Sequence, residues 1–145
     1  MPSPQPRSGA QPHVAAPPTG SSPAAALGLA ALLTAAGVTH LTHPRLYDRL
    51  VPRWLGRPRA WVLGSGVVEL ACAAAVAVPR TRHAGALATA GLFVAVFPGN
   101  VQMALDSSPG ARSWARRPVV AWGRLPLQVP LVLWAWRVAR TSLRP

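Results

Sequence analysis

The chain has 145 residues, half of them hydrophobic and only 12% charged, and its 15 arginines against three acidic residues give a formal charge of +12. A soluble domain carries about 25% charged residues, so this composition excludes an ordinary water-soluble globular domain, and the length leaves room for one domain. The single cysteine, Cys72, excludes an intrachain disulfide, a CxxC redox pair and a thiolate zinc site; its apolar neighbours between Leu70 and Ala74 make it a packing residue.

Residues 1–23 are rich in Pro, Ser and Gly without hydrophobic periodicity, which predicts a disordered tail. The basic stretch that should precede the apolar core of a cleavable signal is missing, so the next segment reads as a retained span. Residues 24–141 then form one membrane domain, with 142–145 as a short C-terminal tail. Span one covers about Ala24 to Leu41, with Thr34 the one polar residue in mid-run.

The segment 42–59 carries Leu46, Leu50 and Trp54 at four-residue spacing, flanked by Tyr47 and Val51, and a second row of Arg45, Arg49 and Arg53. This pattern predicts a segment lying in the headgroup region, apolar side inward and guanidiniums outward, bent or ended at Pro52. Span two follows, about Ala60 to Val78. The short turn PRTRH at 79–83 leads into span three, about Ala84 to Leu105, so the two form an antiparallel hairpin. Span four is placed at about Leu125 to Thr141, with Arg124 at its boundary and Arg137 and Arg140 snorkelling at the far end. An earlier opening at Val119 is disfavoured by Arg124, Pro126 and Pro130.

Runs of about 18 apolar residues are long enough to cross the ~30 Å of a bilayer core. The arginines cluster between these runs, whereas a nucleic-acid binder would lay them along one face. The expected architecture is therefore an all-α transmembrane four-helix bundle with an interfacial segment between helices one and two, and no nucleic-acid partner. Eight loop arginines on one side against six on the other leave its orientation open.

The spans retain a few polar residues. Helix rise places Glu69 ~13 Å into span two and Pro98-Gly99-Asn100 ~21–24 Å along span three from the opposite side. Gln128 lies a turn inside span four below Arg124, and His40 closes span one at the same boundary. One half of the bilayer thus receives a polar group from every helix: His40, Glu69, Asn100 with Gln102, and Arg124 with Gln128. An intramembrane carboxylate is costly unless paired or protonated, so Glu69 should pair with His40 or Arg124 or hold a proton. Pro98 removes the bond to Val94 and is expected to open span three there. Trp114, Trp122, Trp134 and Trp136 read as interface anchors and packing; polar residues that merely hold helices together are the alternative to a site.

The strings GVTHLTHPRLYDRLVPRWL (37–55), GSGVVELACAAAVAVPRTR (64–82), VAVFPGNVQMAL (94–105) and RLPLQVPLVLWAW (124–136) resemble, in order, the DoxX-like family of small four-span bacterial membrane proteins. The resemblance covers about residues 24–138 and picks out His40, Pro44, Pro52, Ser65, Gly66, Glu69, Pro79, Arg82, Pro98, Asn100, Arg124, Pro126 and Gln128. It implies a multi-pass protein of the inner membrane, associated in some relatives with quinone-coupled sulfur oxidation and in others with thiol-handling redox complexes.

Three functional expectations follow. The first is an accessory subunit of a membrane redox system that binds a quinone or lipid, with Glu69 as proton acceptor, His40 or Arg124 at the head group, and Ser65, Asn100, Gln102 and Gln128 lining the pocket. A membrane or soluble oxidoreductase would be its partner, since the chain carries no redox group of its own. The second is an enzyme in which Glu69 and His40 act as acid and base on a lipid-soluble substrate. The third is a structural or assembly factor without chemistry.

Overall fold

The computed structural model describes residues 23–110 and 117–143. Four helices, α1 (Pro23–Thr42), α2 (Pro58–Ala77), α3 (Arg82–Leu105) and α4 (Pro118–Thr141), are the long elements, and there is no β-strand among the described residues. Expectations for 1–22, for Trp114, Arg112, Arg116 and Arg144, and for the Arg49 and Arg53 side chains lie outside the description.

Proline sets two of the helix starts. Pro58 and Pro118 occupy the first helical position, where a missing N–H costs nothing and a fixed φ favours the helix. The turn after α2 is closed from the side chains: Thr81 Oγ1 donates to the Ala75 carbonyl at 2.8 Å, and Arg82 donates to Val76 and Ala77 at 3.0 and 3.2 Å. These are the carbonyls that a helix end leaves without intrahelical partners. Arg82 is therefore a helix cap.

α1 packs on α2, α2 on α3, and α3 on α4, while α1 and α4 meet more lightly. That last contact includes Trp134, whose Nε1 donates to the Ala25 carbonyl at 3.1 Å. The main core joins all four helices through Ala26, Leu29, Leu33, Cys72, Val76, Ala86, Ala135 and Val138. Its alanines let the backbones approach closely; a Cβ added to Gly85 would lie 2.7 Å from Ala75 Cβ. A second, smaller core of Met103, Ala104 and Ala121 lies between α3 and α4, with Leu50 and Leu125 packed on it.

Three expectations need correction. α4 begins at Pro118, seven residues before the expected Leu125, and carries Pro126 and Pro130 inside it. Arg124 is consequently the seventh residue of the helix, ~9 Å in by helix rise, and not at its boundary. α3 also remains α-helical through Pro98 instead of opening between Val94 and Pro98. The single apolar side expected of the segment after α1 is not kept either: three 3-10 turns, Pro44–Leu46, Asp48–Leu50 and Arg53–Leu55, divide it. Pro44 and Pro52 interrupt α-helical hydrogen bonding there. With the four-residue row broken, Leu46 and Trp54 are exposed while Leu50 turns into the second core.

Candidate functional site

His40 is the eighteenth of twenty residues in α1, whereas Glu69 is the twelfth of twenty in α2. α1 thus ends beside the middle of α2, and residues 43–57 fold back along the first turns of α2. Two contacts fix that return: Arg59 holds the Asp48 carboxylate through Nε and Nη2, at 2.7 Å for the shortest bond, and Trp61 Nε1 donates to the Leu55 carbonyl at 2.8 Å.

At the end of α1 the His40 Nδ1 and Glu69 Oε2 atoms are 2.7 Å apart, with 18% and 13% of the side chains exposed. Of the partners expected for Glu69, the structure selects His40. Tyr47 covers the imidazole, ring centroids 4.1 Å apart and planes inclined by 46°, and is itself held by a 3.1 Å hydrogen bond to Thr39 Oγ1. His40 Nε2 has no hydrogen-bond partner among the described residues.

The chemistry of such a pair follows from proton counting. When it holds one ionisable proton it is neutral overall, either as imidazolium with carboxylate or as imidazole with carboxylic acid. In both forms Nδ1 and Oε2 share the short bond, and in both Nε2 carries a hydrogen. The pair therefore presents an N–H donor. Removing that one proton leaves Nδ1–H donating to a carboxylate, and Nε2 becomes an acceptor. The overall neutrality matters because a charge left alone at low dielectric is far more costly than a pair.

The other expected polar residues are arranged separately. Asn100 Nδ2 donates to Gln128 Oε1 at 3.3 Å, and buried Gln128 donates through Nε2 to the Phe93 carbonyl. Ser65 donates to the Val62 carbonyl of its own helix at 3.0 Å. Gln102 points to Asp106 at 3.1 Å, and an Arg124 nitrogen lies 3.9 Å from Met103 Sδ. Among the described residues no hydrogen bond or ion pair joins the His40–Glu69 pair to the Asn100–Gln128 pair. Four of these residues form two interhelical pairs, His40 with Glu69 between α1 and α2 and Asn100 with Gln128 between α3 and α4, where one shared cluster was expected.

Tyr47 is the site residue that sequence reasoning placed elsewhere, in an apolar stripe. Its position seven residues after His40, across a turn made by Pro44, was the available signal. Among the described residues no group of three or more His, Cys, Asp or Glu side chains comes together to hold a metal.

The architecture defines an all-α protein with three helices, α1, α2 and α3, long and apolar enough to cross a membrane. The chain belongs to the family described as a domain of unknown function, DUF8561, whose model matches residues 29–139. This corrects the DoxX-like resemblance: the family match is to DUF8561 and not to a DoxX family. Short Pro, Gly and Arg motifs at helix ends recur in any small helical membrane-type chain, because they mark where helices start and stop. No curated protein and no solved structure matches the chain.

Proposed function

We propose that this is a multi-pass membrane protein in which the His40–Glu69 pair binds the hydrogen-bond-accepting head of a lipid-soluble ligand, with a quinone carbonyl as the acceptor class to test. The membrane reading is supported by the outward faces of the helices. Val67, Val94 and Leu127 are each more than half exposed, an unfavourable surface in water and a suitable one in hydrocarbon. The lower hydropathy of α4, interrupted by Arg124, Gln128 and two prolines, matches a helix whose polar side chains turn toward α3. A helical bundle is the architecture of inner membranes; bacterial outer membranes use β-barrels.

The observation that carries the ligand reading is the 2.7 Å Nδ1–Oε2 contact with Nε2 left over. A purely structural lock would use both ends of its polar groups, as Gln128 does with Asn100 and Phe93. The His40–Glu69 pair instead keeps a donor in reserve and changes it to an acceptor on losing one proton. A ligand that exchanges carbonyl for hydroxyl, as a quinone does on reduction, is matched in both states. That reduction takes two electrons and two protons: the pair gives one proton to the oxygen it holds, water would supply the one for the far oxygen, and a partner oxidoreductase would supply the electrons.

The test is binding of a short-chain ubiquinone analogue to the protein in lipid nanodiscs, read by quenching of tryptophan fluorescence. Wild-type protein should bind saturably. His40→Phe keeps an aromatic ring under Tyr47 but removes the Nε2 donor, and should weaken binding about tenfold, the value of one hydrogen bond. Equal binding by wild type and variant would reject this role for the pair.

A further inference from the structure

A groove of about 430 Å³ lies at the junction of α1 and α2, lined by Leu41, Thr42, His43, Pro44, Arg45, Leu46 and Arg59. We propose that it is a binding site for the phosphate of an anionic phospholipid, held between Arg45 and Arg59 with the acyl chains leaving along Leu41 and Leu46. This site rests on the membrane reading above but is independent of the His40–Glu69 pair and its ligand.

Three observations carry it. The first is charge. Arg59 grips Asp48 through Nε and Nη2, a contact that fixes the guanidinium plane, and Asp48 offsets one of the two arginines. Arg45 has no hydrogen bond or ion pair among the described residues, so the groove keeps a net positive charge. Guanidinium suits phosphate, offering paired donors and a weakly held hydration shell.

The second observation is the composition of the lining. Leu41, Pro44 and Leu46 give the groove an apolar side next to its cationic one, and Leu46 is 58% exposed. A free phosphate in water would gain nothing from that apolar side, whereas a lipid has both a phosphate and chains to place. The third is the setting. Trp61 shares the first turn of α2 with the lining residue Arg59 and is 54% exposed, and exposed tryptophans gather at the headgroup level. A groove reaching that turn suits a lipid phosphate.

His43 is held in place for the same site. Thr42 Oγ1 gives its one hydrogen to the Val38 carbonyl at 2.7 Å, so its 2.9 Å contact with His43 Nδ1 must be donated by the imidazole. That bond fixes the tautomer and the ring against the end of α1.

The experiment is reconstitution into phosphatidylcholine vesicles containing phosphatidylglycerol, followed by detergent extraction and native mass spectrometry of retained lipid. Wild type should retain phosphatidylglycerol over phosphatidylcholine, and Arg45→Gln should cut that preference about fivefold, the loss expected for one arginine beside an anionic lipid. Arg80→Gln, at the exposed turn after α2, should leave it intact. Millimolar inorganic phosphate should not displace the lipid.

Equal retention of the two lipids, an unchanged preference in Arg45→Gln, or displacement by inorganic phosphate would overturn the site. Resistance of the protein to carbonate extraction is measured in parallel. An inserted protein without lipid preference rejects this groove and leaves the membrane reading standing, whereas extraction by carbonate rejects both.

Discussion

Gly37 of α1 and Gly66 of α2 meet at a crossing that His40 and Glu69, each three residues further along its own antiparallel helix, span from opposite sides, and that crossing sets the reach of the pair. A Cβ on Gly37 would lie 2.8 Å from the Gly66 carbonyl oxygen, and one on Gly66 would lie 3.0 Å from His40 Cβ. Small residues at such a crossing let helix backbones approach closely. The site geometry is thus a consequence of two hydrogen atoms standing in place of side chains.

Gly37→Ala should separate the helices. The obstacle is backbone, which cannot rotate away, so overpacking should cost about 1–3 kcal/mol, only partly offset by the helix preference of alanine. The loss should appear in SDS titration followed by circular dichroism. The His40 ring should also lose its short bond to Glu69, seen as a shift of the Nδ1 resonance in nitrogen NMR. An unshifted resonance would mean that the crossing does not set the pair.

A double-mutant cycle measures the pair directly. His40→Ala leaves the Glu69 carboxyl, 13% exposed, without the imidazole it bonds, and Glu69→Gln replaces the ionisable carboxyl with an amide. Each single change should cost about 1–3 kcal/mol in SDS unfolding. The double variant should cost less than the sum, because neighbours that share a bond are not additive. Additivity would place the two side chains apart in solution.

Much of the helical framework was legible in the amino-acid order. Ala- and Leu-rich apolar runs of about twenty residues are too long for strands and favour helix, and α1, α2 and α3 fall within two residues of expectation at each end. α4 was harder because Pro126 and Pro130 are read locally as breakers, whereas packing against α3 holds the helix through both. The 43–57 segment was harder still. Four-residue spacing of Leu46, Leu50 and Trp54 looks like one helix face, but the prolines convert the chain to 3-10 turns, in which that spacing no longer shares a side.

The site was legible in kind but not in grouping. Helix rise gave each polar residue a depth, and depth cannot say which helices face each other. His40 and Glu69 are joined by the Gly37–Gly66 crossing, and Asn100 and Gln128 by α3–α4 packing. Neither crossing is visible in a count of residues along a single helix.

The hairpin between α2 and α3 offers a matched pair of changes. At Gly85 an added Cβ meets Ala75 Cβ at 2.7 Å and backbone atoms at 2.8 Å; at Gly91 nothing lies within 4 Å. Gly85→Ala should therefore be destabilising by about 1–3 kcal/mol. Gly91→Ala should be neutral or stabilising by up to about 1 kcal/mol. Similar midpoints in SDS titration for the two variants would show that α2 and α3 do not pack as described.

Cys72 is 6% exposed inside the core that joins all four helices. A thiol there is shielded by packing, whether the surrounding medium is detergent or bilayer. A maleimide reagent should leave it unlabelled in folded protein and label it fully once SDS has separated the helices. Rapid labelling of the folded protein would indicate that the four-helix core is open.

Gln128 and Asn100 contribute unequally although they are partners. Gln128 is 8% exposed and reaches both Asn100 Nδ2 and the Phe93 carbonyl, so it ties α4 to a side chain and to the backbone of α3. Asn100 gives up one bond when truncated; Gln128 gives up two and leaves a cavity. Interhelical hydrogen bonds in membranes are worth about 0.6–2 kcal/mol each, so Gln128→Ala should lower stability roughly twice as much as Asn100→Ala. Neither change should weaken quinone-analogue binding if that ligand sits at His40 and Glu69. A variant at Gln128 that keeps its unfolding midpoint but loses the ligand would move the binding site into the α3–α4 hairpin.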